Sequence, residues 1–192
     1  MSSVHEDTQG FTLWFTGLSG SGKTTIARII GPEIERRGVL VDHLDGDVVR
    51  THLSKGLGFS REDRDANILR IGFVSKLLTR HGAGVIVAAI SPYAETRDMV
   101  RDMIGSVGNF VEVYVATSLE ECARRDVKGL YAKAFSGEIK EFTGVSDPYE
   151  APEHAEVVVE TEGRTPEESA AFVISELERL NIIPPVLEEA VA

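Results

Sequence analysis

Eight residues, Gly17-Leu18-Ser19-Gly20-Ser21-Gly22-Lys23-Thr24, constrain this chain more than any other stretch. They match GxxxxGK[ST] in full and follow directly on the apolar, β-prone run Phe11–Thr16. Glycines let a backbone turn tightly and aim its N–H groups inward at phosphate oxygens, and a helix beginning near Lys23 adds the positive end of its dipole. Lys23 supplies a point charge to the β- and γ-phosphates, and the Thr24 hydroxyl is placed to ligate Mg²⁺. A merely glycine-rich turn is the bland alternative, and the strand-loop-helix context disfavours it.

A phosphate loop does not by itself separate a GTPase switch from an ATPase or a small-molecule kinase. A GTPase needs a guanine-selecting Asn-Lys-x-Asp, and the chain has no Asn-Lys pair. Asp126-Val127-Lys128-Gly129 has the form of a switch motif but follows the fourth strand, which is the wrong place.

From Phe11 onward apolar runs alternate with helical patterns, which is how a parallel α/β sheet reads. Phe11–Phe15, Val39–Leu44, Val85–Ile90, Phe110–Val115 and Val157–Val159 are short and β-branched or aromatic, as buried strands are. The expectation is a three-layer α/β sandwich around a five-stranded, mainly parallel sheet. It forms one domain across residues 1–192, with a core of about 10–182. Helix starts are marked by Ser60 with Asp63, by Ser118 with Glu121, and by Thr165 with Pro166 and Glu168. Residues 128–154 break the pattern with Gly129, Gly137, Gly144, Pro148 and Pro152, leaving a helical stretch only near Leu130–Phe135. This reads as a surface excursion acting as a lid, about 124–154 with its approach. The termini, including Pro184–Ala192, are expected to be flexible.

Charge decides which partners to exclude. The formal net charge is −11, which argues against a surface made for nucleic acid or anionic lipid. The acid is uneven: residues 147–192 hold 12 acids against two bases, whereas 50–70 and 124–140 are locally basic. The lone Cys122 permits no internal disulfide and fits a reducing compartment, and it is expected to be a small buried filler on the Ser118 helix. MSSVHEDTQG lacks the basic start and apolar stretch of a secretory signal. The longest apolar run, Val85–Ile90, is far below the roughly 20 residues that cross a bilayer. A cytoplasmic protein without membrane contact is expected. The five histidines show no ligand spacing, and Trp14 reads as core.

The third strand ends without an acid, but the second ends in Leu44-Asp45-Gly46-Asp47, at the sheet edge where such folds bind ligands. Asp45 is assigned to Mg²⁺ and its water, and Asp47 to accepting the acceptor hydroxyl's proton, although their order could be reversed. Asp47 capping a helix from Val48 is the structural alternative. Arg50, Lys55, Arg61, Arg64 and Arg70 follow within 21 residues, and Arg64, Asn67 and Arg70 recur three apart on one helix face. The arginine fork suits phosphate or sulfate, so an anionic acceptor is preferred over a plain solvated face.

At this point the chain resembles the adenylylsulfate kinases, phosphate-loop kinases of nucleoside-kinase-like fold that phosphorylate the 3′-hydroxyl of adenosine 5′-phosphosulfate. The likeness rests on GLSGSGKTT at 17–25, DGDVVR at 45–50, GLGFSREDRDANILRI at 56–71, ISPY at 90–93 and RRDVKGLYAKAFSGEIKEFTGVSDPYE at 124–150. It implies ATP with Mg²⁺, bound by Gly17 through Thr25 and by Arg124 in the lid. It also implies that Arg50, Arg64 and Asn67 grip the phosphosulfate and ribose, and that Phe59 and Phe142 sandwich the acceptor adenine. Ile90, Ser91 and Lys128 map onto further substrate contacts.

The resemblance would also mark Ser91 as a phosphorylated intermediate. No dedicated base stands beside it, so direct in-line transfer is preferred, with Lys23, Asp45 and Asp47 carrying the chemistry and Ser91 lining the site. Two departures are Val127 where the family has proline, and Ala94 where arginine often follows the SPY triplet. The family reading further implies a homodimer and an ATP sulfurylase as functional or fused partner. The alternatives are a nucleoside-monophosphate kinase of the same fold and a non-catalytic nucleotide-binding partner of a sulfurylase.

Overall fold

The computed structural model describes residues 9–185. Five strands, β1 (Phe11–Thr16), β2 (Val41–Asp45), β3 (Gly84–Ala88), β4 (Asn109–Val115) and β5 (Val157–Val159), pair in the order β2-β3-β1-β4-β5. All four pairings are parallel, a stricter arrangement than the mainly parallel sheet the sequence suggests. Every connection between consecutive strands carries at least one helix, as parallel pairing requires. Every residue of β1 is buried, as the central strand of a two-sided sheet requires.

Side chains alternate across that strand. Phe11, Leu13 and Phe15 join α1 (Lys23–Glu35) and α7 (Pro166–Arg179) on one face, through Ile26, Ile30, Ile34, Val173 and Leu177. Trp14 faces α3 (Arg61–Arg80) and α4 (Ala94–Gly105) on the other, among Ile68, Ile71, Val100 and Ile104. Gly72 lets α3 and α4 approach so closely that an added Cβ would lie 2.7 Å from Val100 Cγ2. Short helices α2 (Gly46–His52), α5 (Leu119–Arg125) and α6 (Leu130–Phe135) line the carboxyl edge.

Strand ends differ from expectation by two residues in two places and by one residue at others. β2 begins at Val41 rather than Val39, because Leu40 is exposed. β3 leaves the ladder after Ala88 rather than Ile90. Ser91 turns into the left-handed region at φ 42°, and Pro92 has no N–H for a ladder bond. The three helix starts stand as read: Ser60, Ser118 and Thr165 each accept a third-residue N–H, and Thr165 with Glu168 completes a capping box. Cys122 is buried on α5, and Trp14 is fully buried. No helix among the described residues is long and apolar enough to cross a membrane. The expected tail beyond residue 185 lies outside the described residues.

Candidate active site

Gly17 and Gly22 hold φ of 145° and 112°, and at Gly17 a Cβ would lie 2.7 Å from the Val115 carbonyl oxygen, so the loop's path requires glycine there. Helix α1 starts at Lys23 with no side-chain cap, leaving its first N–H groups to whatever lies over the loop. The loop is held from behind by the Ser21 carbonyl oxygen, which accepts from Thr117 Oγ1 at 2.9 Å, Arg125 at 3.3 Å and Thr161 Oγ1 at 3.4 Å.

Lys23 Nζ donates to the carbonyl oxygens of Gly17 at 2.9 Å and Leu18 at 2.6 Å. It is buried, and that burial pushes its pKa from 10.5 down to about 8, against the opposing pull of Asp45 and Asp47. Thr24 Oγ1 donates to Asp45 Oδ2 at 2.9 Å. A hydroxyl and a carboxylate side by side at the mouth of a phosphate loop form an oxygen donor set that fits Mg²⁺, which prefers a few oxygens and its own waters.

Asp45, not Asp47, caps α2: its Oδ1 accepts from the Asp47 N–H at 3.0 Å. The expected cap by Asp47 is thereby corrected, because the helix begins at Gly46, two residues earlier than that reading assumed. Asp47 is exposed, and its Oδ2 meets Lys128 Nζ at 2.6 Å across the cleft.

Facing the loop across a cleft of about 640 Å³ stand Asp47, Arg50, Phe59, Arg64, Asn67, Ile90, Ser91, Lys128 and Phe142. The Arg50 guanidinium lies 4.5 Å from the Phe59 ring centre and donates to the Gly58 carbonyl. Burial lowers the Arg50 pKa first and the neighbouring Arg64 charge second, two penalties that a bound anion would relieve. Asn67 Oδ1 is buried without a hydrogen-bond partner. Phe59 is exposed to the cleft, and Phe142 packs edge-on against Tyr131 at 5.0 Å between ring centres. An exposed ring and a supported ring on one cleft provide surfaces for a flat base.

Arg64 differs from the expected free anion ligand, since its guanidinium is already committed to the protein. It donates to the Phe59 carbonyl at 2.7 Å, to Thr143 Oγ1 at 2.6 Å and to the Glu141 carbonyl, so it joins the two aromatic loops. Arg70 turns away to the Leu53 carbonyl. Thr25 lines the cleft together with Ser19, Gly20, Gly22, Lys23 and Thr24, whereas Gly17, Leu18 and Ser21 support it from behind. Arg124 is exposed and paired with Glu121, away from the cleft, and its neighbour Arg125 is the one that touches the loop.

Ser91 is buried, and its Oγ accepts from Trp14 Nε1 at 3.1 Å. The sequence reading missed three contributors. Tyr131 donates to the Ser19 carbonyl at 2.9 Å, Tyr149 shares a hydrogen bond with Thr16 at 3.0 Å, and Asp126 accepts from the Tyr131 and Ala132 N–H groups at the start of α6. Asp126 in a Gly-containing turn before a helical stretch is the one signal that could have been read as a cap.

The adenylylsulphate kinase family model matches residues 9–160. An adenylyl-sulfate kinase of Picosynechococcus is 56% identical over 177 residues, 92% of this chain and 98% of that protein. A probable bifunctional SAT/APS kinase of Sorangium cellulosum is 55% identical over 91% of this chain, which spans 30% of that longer protein. Among solved structures, an APS kinase of Mycobacterium tuberculosis in complex with AMPPNP and APS superposes with a TM-score of 0.84 at 43% identity, covering 88% of this chain and 98% of that one.

Proposed function

The chain belongs to the adenylylsulfate kinase family, and from that premise we propose how its cleft moves the γ-phosphoryl of ATP to the 3′-hydroxyl of adenosine 5′-phosphosulfate, giving 3′-phosphoadenylylsulfate and ADP in sulfate activation. One observation carries the reading: a complete phosphate loop and a wall of Asp47, Arg50, Phe59 and Asn67 face each other across one cleft. The loop N–H groups and Lys23 hold the nucleotide phosphates. Arg50 meets the phosphosulfate, Asn67 offers its unpartnered Oδ1 to the ribose, and Phe59 and Phe142 take the adenine between them.

Thr24 and Asp45 would hold Mg²⁺, which supplies charge neutralisation at the phosphates. Asp47 orients or deprotonates the 3′-hydroxyl once Lys128 turns from it to the substrate anion. Transfer needs alignment and charge stabilisation, and the Ser91 hydroxyl, which accepts from Trp14 and has no base beside it, lines the floor without becoming a nucleophile. Trapping phospho-Ser91 at a rate matching turnover would overturn that assignment.

Residues 124–154 serve as lid to a single kinase domain, and Arg124 reaches the nucleotide only when that lid closes. We further propose a two-copy assembly in the cytoplasm that works beside a sulfurylase, a pairing that the likeness to a probable bifunctional SAT/APS kinase supports. Asp47→Ala should lower turnover by roughly 10²–10⁴ while ATP affinity is retained. ADP release measured side by side with adenylylsulfate and AMP tests the acceptor, and equal rates would favour a nucleoside-monophosphate kinase.

A further inference from the structure

Behind the acceptor floor lies an arrangement that the phosphoryl-transfer roles do not use. Ser91 is a non-glycine residue at φ 42°, buried and lining the cleft. Left-handed backbone at such a residue persists only where its surroundings over-determine it. Here the surroundings converge on Arg97, in the first turn of α4, with 3% of its surface exposed.

Arg97 spends its guanidinium on three partners. Nη1 donates to the Ser91 carbonyl at 2.8 Å, Nη2 to the Glu150 carbonyl at 2.7 Å, and Nε to Glu112 Oε1 on β4 at 2.8 Å. Glu112 is itself held by Arg101 at 3.1 Å, so the anchor is fixed to the sheet. Glu150 lies on the return arm of the 124–154 segment. Its N–H donates to the Pro92 carbonyl at 2.8 Å, and its carboxylate accepts from the Ala94 N–H at 2.7 Å. The strained turn and the return arm therefore share one buried fork.

We propose that Arg97 is a positioning residue for the acceptor half of the reaction: it fixes the left-handed turn at Ser91 and ties it to the lid's return arm. Only a planar, multidentate cation serves, because a lysine reaching Glu112 has no second and third donor at fixed angles for two backbone carbonyls. The phosphate loop takes no bond from Arg97; the link between them is Thr16 at the end of β1, whose hydroxyl donates to the Ile90 carbonyl at 2.7 Å and lies 3.5 Å from that of Ser91. This inference rests on the adenylylsulfate kinase reading.

The test is Arg97→Lys, read by steady-state kinetics and by calorimetric ADP binding on the folded protein. The expected result is a rise in KM for adenylylsulfate on the order of 10- to 100-fold, with ADP affinity unchanged. Adding Ser91→Gly to that variant should recover part of the lost KM, since glycine adopts the turn without support. An unchanged KM, a parallel loss of ADP affinity, or no recovery by Ser91→Gly would overturn the proposal.

Should Arg97→Lys fail to fold, Arg97→Met/Glu112→Gln removes the ion pair as a unit and is read in the same way. Failure of both to fold would assign Arg97 to the core alone and also overturn the proposal. A wild-type protein that released no ADP with adenylylsulfate would instead fail the functional reading, a result distinct from any of these.

Discussion

Lys23 shows how a site residue can be legible while its environment is not. The motif names it, because glycine spacing and a following Thr are local facts. The sequence does not say that the amine is buried against two carbonyls of its own loop, with a pKa of about 8. The sign of the consequence is fixed by that lowering. Between about pH 8 and 10.5 the unfolded chain carries the extra proton, so Lys23 makes the folded protein gain stability as pH rises through that window. Phosphates bind the ammonium form, so ADP binding at pH 8.5 should draw in a proton. Calorimetry in buffers of different ionisation enthalpy would read that uptake, and Lys23→Met should abolish it. Arg64 is the opposite case: its type and spacing suggest an anion ligand, but two of its three partners lie 77 and 79 residues away, beyond any pattern in sequence.

At the scale of elements, the strands and caps were readable because each depends on a few adjacent side chains. Thr165-Pro166-Glu168 reads as a capping box and forms one, so Thr165→Ala should cost about 1 kcal/mol of stability by chemical denaturation, with KM for ATP unmoved. Close packing between elements was not readable. Gly72 looks like an unfavourable residue in a helix interior until α4 is seen against it, with Val100 Cγ2 at 2.7 Å from a built Cβ. Gly72→Ala should therefore destabilise by about 1–3 kcal/mol despite better helix propensity, as overpacking does, and the same denaturation measurement checks it. The end of β3 was overestimated for a related reason. Ala89 and Ile90 are as apolar as a strand; the Ala89 N–H still reaches the Phe15 carbonyl at 3.2 Å, and the left-handed turn at Ser91 stops the ladder from going further.

At the scale of the whole molecule, charge and shape tell different stories about ligands. The chain is acidic overall, yet the cleft gathers Lys23, Arg50, Arg64 and Lys128, because most of the excess acid lies after residue 146. Strongly acidic proteins are poor partners for polyanions, and a small dianion entering a basic cleft is not subject to that exclusion. Binding in the cleft should stabilise the fold by mass action. Mg²⁺ and ADP at about 100 times Kd should add about 2.7 kcal/mol to unfolding, seen as a higher Tm in a thermal melt, and Lys23→Met should remove most of that shift.

Both sides of the cleft depend on residues from the last half of the chain. The lysine cradle of the phosphate loop closes over five or six residues, but the loop's backing by Thr117, Arg125 and Thr161 closes over 96 to 140, and Arg64 to Glu141 and Thr143, and Asp47 to Lys128, over 77 to 81. Contacts of long sequence separation form late, after the loop-closure entropy between them has been met. A chain emerging from the ribosome therefore carries the phosphate-loop motif early, but the residues that back that loop, as far on as Thr161, arrive last of all. The acceptor wall waits until residue 143 is free to return to α3.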